Sequence, residues 1–195
     1  MKNIVENCSV YGLESSVKAS KYPYSANTDN CNSDITNKVV SLAQCQNGLG
    51  HDQFLTGIIV QFDLTLSEKA WPEFQRYHFA DFVSSMSTIH SLKKLDVNDQ
   101  CNQYVDSRCI DILQDKIDEY KLHPDDKKAY LRMIYNIPSG FTLTARITTN
   151  YRQLKTIYAQ RKEHPLPEWR ELCKWIETLP HSEFITGKYI SNEVG

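Results

Sequence analysis

The chain has 195 residues, 41% of them apolar, enough for one compact domain that needs neither metal nor disulfides to hold its core. Lys and Arg total 22 against 24 Asp and Glu, a net charge of −2, so there is no overall electrostatic footprint for nucleic acid or for an anionic membrane surface. Apolar runs such as Gly57–Val60 and Cys109–Leu113 fall far short of the roughly 18 residues of a spanning helix, and the opening MKNIVENCSVYG lacks a signal-peptide apolar region. A cytoplasmic protein is expected.

The seven Gly and seven Pro are dispersed and no repeat or low-complexity linker is visible, so a single domain over 1–195 is expected, with a flexible tail at 188–195. In chain order, a short helix is read around Leu13–Ser20. A polar loop YPYSANTDNCNSD follows, then a second helix from about Ile35 to Gln46, stopped by Gly48 and Gly50. Helix thus precedes strand. From Ile58 the period becomes two: Val60, Phe62, Leu64 and Leu66 alternate with Gln61, Asp63, Thr65 and Ser67, the pattern of a half-buried strand. A long amphipathic stretch runs from Trp71 to about His90. A helix over Arg108–Lys121 carries the stripe Ile110, Leu113 and Ile117, and another opens at HPDD with Pro124 in its first turn.

A second alternating strand spans Phe141–Thr149, with Phe141, Leu143, Ala145 and Ile147 on one face. The chain closes on a helix in which Trp169, Leu172, Cys173, Ile176 and Leu179 recur at helical spacing, which makes Cys173 a core residue. Few strands among many helices, without βαβ alternation or a Gly-rich turn after a strand, predict an α+β fold with a small antiparallel sheet rather than a doubly wound dinucleotide fold. The six cysteines, Cys8, Cys31, Cys45, Cys101, Cys109 and Cys173, are scattered without ligand spacing, as are the six histidines; reduced thiols and no metal are expected.

There is no P-loop, G-x-S-x-G or kinase-type set. The most unusual segment is TARITTNYRQLKTIYAQRKEH, in which Asn150 stands as a helix N-cap at a strand end and Arg152 follows inside the first turn. A strand end feeding a helix N-terminus suits anions and amide edges. It equally suits an ordinary cap with a solvated basic face.

The order of residues resembles the flavin-dependent thymidylate synthases over most of the chain, about 12–187. In that family a strand runs into N-x-R-x-L and a helix ending in an Arg beside the nucleotide. Here Asn150, Arg152 and Leu154 repeat the spacing, and Arg161 follows eleven residues after Asn150. Arg132, ahead of Ile137-Pro138, resembles the family's Arg before a Leu-Pro turn. Val17, Ala19 and Lys21 look like its first helix, and Gly50-His51-Asp52-Gln53-Phe54 looks like its G-H-x-x-P-F-x-H turn. The family's R-H-R and N-E-x-S-x-R-Y motifs are matched only by His90-Ser91-Leu92 and Asn98-Asp99-Gln100-Cys101-Asn102-Gln103-Tyr104, with Gln103 in place of a phosphate-holding Arg. The helix preceding them reads about three turns longer than the family's.

The resemblance implies an α+β subunit of a homotetramer that binds FAD and a pyrimidine nucleotide across subunit interfaces. Its reaction would be reductive methylation of dUMP to dTMP with methylene-tetrahydrofolate and NADPH as co-substrates. It implies Arg161 as the catalytic residue that polarises the pyrimidine, and Arg132, Asp99, Cys101 and Tyr104 as substrate contacts. His51, His90, Asn150 and Arg152 would line the flavin. The missing arginines keep a second expectation open, a non-catalytic nucleotide- or partner-binding protein on the same scaffold.

Overall fold

The computed structural model describes residues 3–46 and 48–188; the expected flexible tail at 188–195 lies, beyond Lys188, outside the described residues. The elements run β1 (Val5–Tyr11), α1 (Leu13–Ser20), α2 (Asn37–Ala43), β2 (Ile59–Ser67), α3 (Trp71–Phe74), β3 (Asp81–Ser85), α4 (Thr88–Ser91), α5 (Val97–Gln100), α6 (Ser107–Leu122), α7 (Lys127–Tyr135), β4 (Thr142–Asn150), α8 (Tyr151–Arg161), α9 (Pro167–Ile176) and α10 (Glu183–Thr186). The strands form one antiparallel sheet in the order β1-β2-β4-β3, so the fold is α+β as expected. Both strands read from alternation are present, and Val60, Phe62, Leu64 and Leu66 are all buried.

The residues gather into two compact units: Met1–Phe62 with Tyr77–Asp81 and Ile147–Gly195, and Asp63–Arg76 with Phe82–Arg146. In the first unit, α8 buries Tyr151, Leu154, Ile157 and Tyr158, and α9 buries Trp169, Leu172, Cys173 and Ile176. Helix α1 starts at Gly12, whose φ of 75° is left-handed and whose added Cβ would lie 2.4 Å from the Gly57 carbonyl oxygen. Only glycine joins β1 to α1 at that distance. In the second unit Leu92, Val97, Leu113, Ile117, Met133 and Phe141 make a core under α6 and α7, and the Trp71 indole N–H donates to the Leu143 carbonyl at 3.2 Å.

Four expectations are corrected. The chain begins with a strand, not a helix: β1 buries only Val5 and turns at Asn7 (φ 51°), so it offers no alternating apolar signal. The stretch Trp71 to His90 is no long helix but the four-residue α3, the strand β3 and α4, because the segment is satisfied by a distant partner, Met86 N–H donating to the Thr144 carbonyl at 2.9 Å. Helix α7 opens at Lys127, after Pro124 rather than around it, because the Asp126 carboxylate accepts the Lys128 N–H at 2.7 Å. Helix α2 is shorter than expected, capped by Thr36 and ending where Lys155 takes the Ala43 and Cys45 carbonyls, both at 2.7 Å.

Candidate functional site

At the end of β4 the Asn150 side-chain oxygen accepts the Gln153 N–H at 2.9 Å, which caps α8 as the sequence indicates. Arg152 and Lys155 then project from one face of the helix, three residues apart. Between them lies the carboxylate of Asp52, wholly buried: Oδ1 accepts Arg152 Nε at 3.1 Å and Oδ2 accepts Lys155 Nζ at 2.8 Å. A carboxylate removed from water needs paired cations, and two are supplied. His51, the residue before Asp52, is exposed. The loop bearing it is tied to α8 through Asp52 and through the two carbonyls that Lys155 holds.

The other end of α8 carries Arg161. Its Nε donates to the Tyr77 hydroxyl at 2.8 Å, that hydroxyl donates to Gln160 Oε1 at 2.9 Å, and the guanidinium carbon sits 4.4 Å from the Trp169 ring centroid. Stacking over indole and bonding through one edge fix the guanidinium plane.

The remaining expected residues belong to the second unit. Asp96 caps α5 by accepting the N–H groups of Asn98 and Asp99 at 2.9 and 3.4 Å, leaving the Asp99 side chain exposed. Cys101 bridges to Phe141 and packs on the core of this unit; burial first, then the nearby Cys109, pushes its thiol pKa up. That suits packing better than nucleophilic attack. Asn102 N–H donates to the Gly140 carbonyl at 2.9 Å, and a Cβ on Gly140 would lie 2.4 Å from Val105 Cγ2. Tyr104 is exposed, as is His90 in α4. Arg132 on α7 is exposed and paired with Glu119 at 2.7 Å; Lys116 first and Arg132 second hold that carboxyl below its usual range. Helix α6 is capped by Asp106, which accepts the Arg108 N–H at 2.9 Å.

The fold thus brings His51, Asn150, Arg152 and Arg161 into one unit, and His90, Asp99, Cys101, Tyr104 and Arg132 into the other. Sequence reasoning missed Asp52, Lys155, Tyr77 and Trp169 as partners of these cations. One signal was present: two cations at i and i+3 on one helix face repel unless a carboxylate lies between them. The carboxylate itself, about a hundred residues away, carried no local mark.

Helices packed on this four-stranded sheet define a class: the fold is that of the flavin-dependent thymidylate synthases. Two crystal structures of flavin-dependent thymidylate synthase ThyX from Helicobacter pylori, each with FAD and dUMP, match it. The first has a TM-score of 0.71 at 18% identity, covering 93% of this chain and 96% of that one. The second has a TM-score of 0.70 at 16% identity, covering 94% and 95%. The UMP/dUMP methylase PolB from Streptomyces cacaoi, bound with 5-Br dUMP, matches with a TM-score of 0.57 at 12% identity over 89% of this chain and 87% of that one. No family model and no curated relative matches the chain. Among the described residues no helix is long and apolar enough to cross a membrane.

Proposed function

We propose that the protein is a diverged flavin-dependent thymidylate synthase-like protein that binds FAD and a pyrimidine nucleotide and assembles as a homotetramer. The observation that carries this reading is the cation pair on α8, Arg152 behind the Asn150 cap and Arg161 at the last turn, on a fold whose solved examples hold FAD and dUMP. The residues suit the cofactor: the two Nη nitrogens of Arg152 have no protein partner among the described residues and suit phosphate oxygens, and Asn150 and His51 stand near in sequence to either side of the Asp52 pair.

When bound, the flavin would supply hydride chemistry, passing hydride from NADPH to the one-carbon unit that methylene-tetrahydrofolate gives to dUMP. The chain's part would be binding and electrostatics. Arg161 would stabilise negative charge on the pyrimidine carbonyl, and Arg132, Asp99, Cys101 and Tyr104 would contact the nucleotide, with Arg132 exchanging Glu119 for it. His90 would add to the flavin site.

The second reading, a non-catalytic nucleotide- or partner-binding protein, draws on Gln103 and on the loss of the R-H-R arginines at His90-Ser91-Leu92, which remove charge-assisted phosphate bonds worth about 1.5–3 kcal/mol each. The test is a titration of the purified protein with FAD, followed by flavin fluorescence. Quenching to a saturating stoichiometry is expected, and its absence in folded protein would overturn FAD binding. Flavin-bound protein that converts no dUMP in the presence of NADPH and methylene-tetrahydrofolate would select the second reading.

A further inference from the structure

We propose that Asp52 and Lys155 are positioning residues that aim the Arg152 guanidinium at the phosphate of the nucleotide cofactor, so that this cluster sets the preference for a phosphorylated over an unphosphorylated flavin. The inference rests on the FAD-binding reading and adds to it the residues that make Arg152 selective.

Charge and donor counting carry it. The Asp52 carboxylate is fully buried and spends one oxygen on each cation, at 3.1 Å to Arg152 and 2.8 Å to Lys155. One carboxylate between two cations leaves a net positive charge. Lys155 has no donor left for a ligand, because its ammonium has three N–H donors and three acceptors: Asp52 Oδ2 at 2.8 Å and the carbonyls of Ala43 and Cys45, both at 2.7 Å. Its side chain is 13% exposed.

Arg152 is different. Only its Nε is engaged, its side chain is 35% exposed, and the four N–H groups on its Nη atoms have no protein partner among the described residues. A guanidinium pinned through Nε to a buried anion cannot rotate freely, and it presents its remaining edge as a planar fork. Such a fork matches two oxygens of one phosphate. In a cluster of net positive charge, the unspent donors are therefore those of Arg152, facing outward as a preoriented phosphate reader. Lys155 has a second effect: by holding the carbonyls that precede the His51 loop, it keeps Asp52 in place and prevents Arg152 from taking both carboxylate oxygens.

The test compares FAD, FMN and riboflavin in fluorescence titrations of the wild type, Arg152→Gln, Arg152→Lys, Asp52→Asn, Lys155→Gln and the double variant Asp52→Asn/Arg152→Gln, with circular dichroism confirming the fold of each. Arg152→Gln and Asp52→Asn should each weaken FAD and FMN by about tenfold with riboflavin unchanged, and the double variant should be no weaker than Arg152→Gln alone. Arg152→Lys should fall between, with a steeper salt dependence. If Asp52→Asn does not fold, Lys155→Gln carries the same expectation. A folded Asp52→Asn or Lys155→Gln protein that binds FAD like the wild type, that loses riboflavin equally, or whose effect adds to that of Arg152→Gln overturns the positioning role while FAD binding stands. A wild type that binds none of the three flavins overturns both.

Discussion

Arg161 shows how much of a residue's meaning lies in what it touches. Its Nε is bound to the Tyr77 hydroxyl at 2.8 Å and its guanidinium carbon lies 4.4 Å from the centroid of the buried Trp169 ring, so the charge is held in one orientation. If Arg161 carries the nucleotide, Arg161→Ala should weaken dUMP binding by about 1.5–3 kcal/mol, roughly ten- to a hundredfold, in calorimetric titration. Tyr77→Phe keeps the ring and removes the hydroxyl that accepts from Arg161 and donates to Gln160, so the loss of dUMP affinity should stay at about 1 kcal/mol. Unchanged dUMP affinity in Arg161→Ala would remove the residue from the site. Arg132 contrasts with it: paired to Glu119 and more than half exposed, it makes an ion pair of the kind worth little in water.

At the scale of elements, the packing of α9 has a consequence that pH exposes. Cys173 is buried on the inner stripe of the helix, and burial, with Glu177 adding to it and Arg161 opposing it, pushes its thiol pKa up to about 11 from 9.0. The folded state therefore keeps a proton that the unfolded state releases. The stabilisation is complete below the unfolded pKa and is lost as pH rises through the folded one, at about 1.4 kcal/mol per unit and on the order of 2–3 kcal/mol in all. Urea unfolding of wild type and Cys173→Ala should therefore show a stability gap that narrows between about pH 9 and pH 11. A gap independent of pH would contradict the assignment. In the other unit, the loop after α5 is docked against the start of β4 so closely that a Cβ on Gly140 would lie 2.4 Å from Val105 Cγ2 and 2.8 Å from Asn102 Oδ1. Gly140→Ala should displace the segment carrying Cys101 and Tyr104 and destabilise by about 1–3 kcal/mol, read from the urea midpoint. A neutral effect would mean that the loop yields without strain.

For the whole molecule, the proposed homotetramer would have large apolar side chains to cover, among them Phe79, Val83, Ile89, Leu122 and Tyr135, each more than half exposed on a single chain. Sedimentation equilibrium at micromolar concentration should give about four times the 22.6 kDa chain mass, and a strict monomer would rule out nucleotide sites shared between subunits. The elements that were legible in the amino-acid order are those whose cause is local. The periods of β2, β4, α6 and α9 follow from which side chains must leave water, and the Asn150 cap follows from a side chain that reaches its own helix. The edge strands β1 and β3 were not legible, because β1 buries only Val5, β3 buries no residue, and the two are fixed by backbone bonds to distant strands. The candidate site divides the same way. Residue types and spacing single out Asn150, Arg152 and Arg161, since a helix of set pitch fixes their separation. Only the folded chain brings Asp52 to Arg152 and Lys155 across about a hundred residues, and Tyr77 to Arg161 across 84, because the desolvation of a carboxylate and the stacking of a guanidinium are decided by neighbours in space.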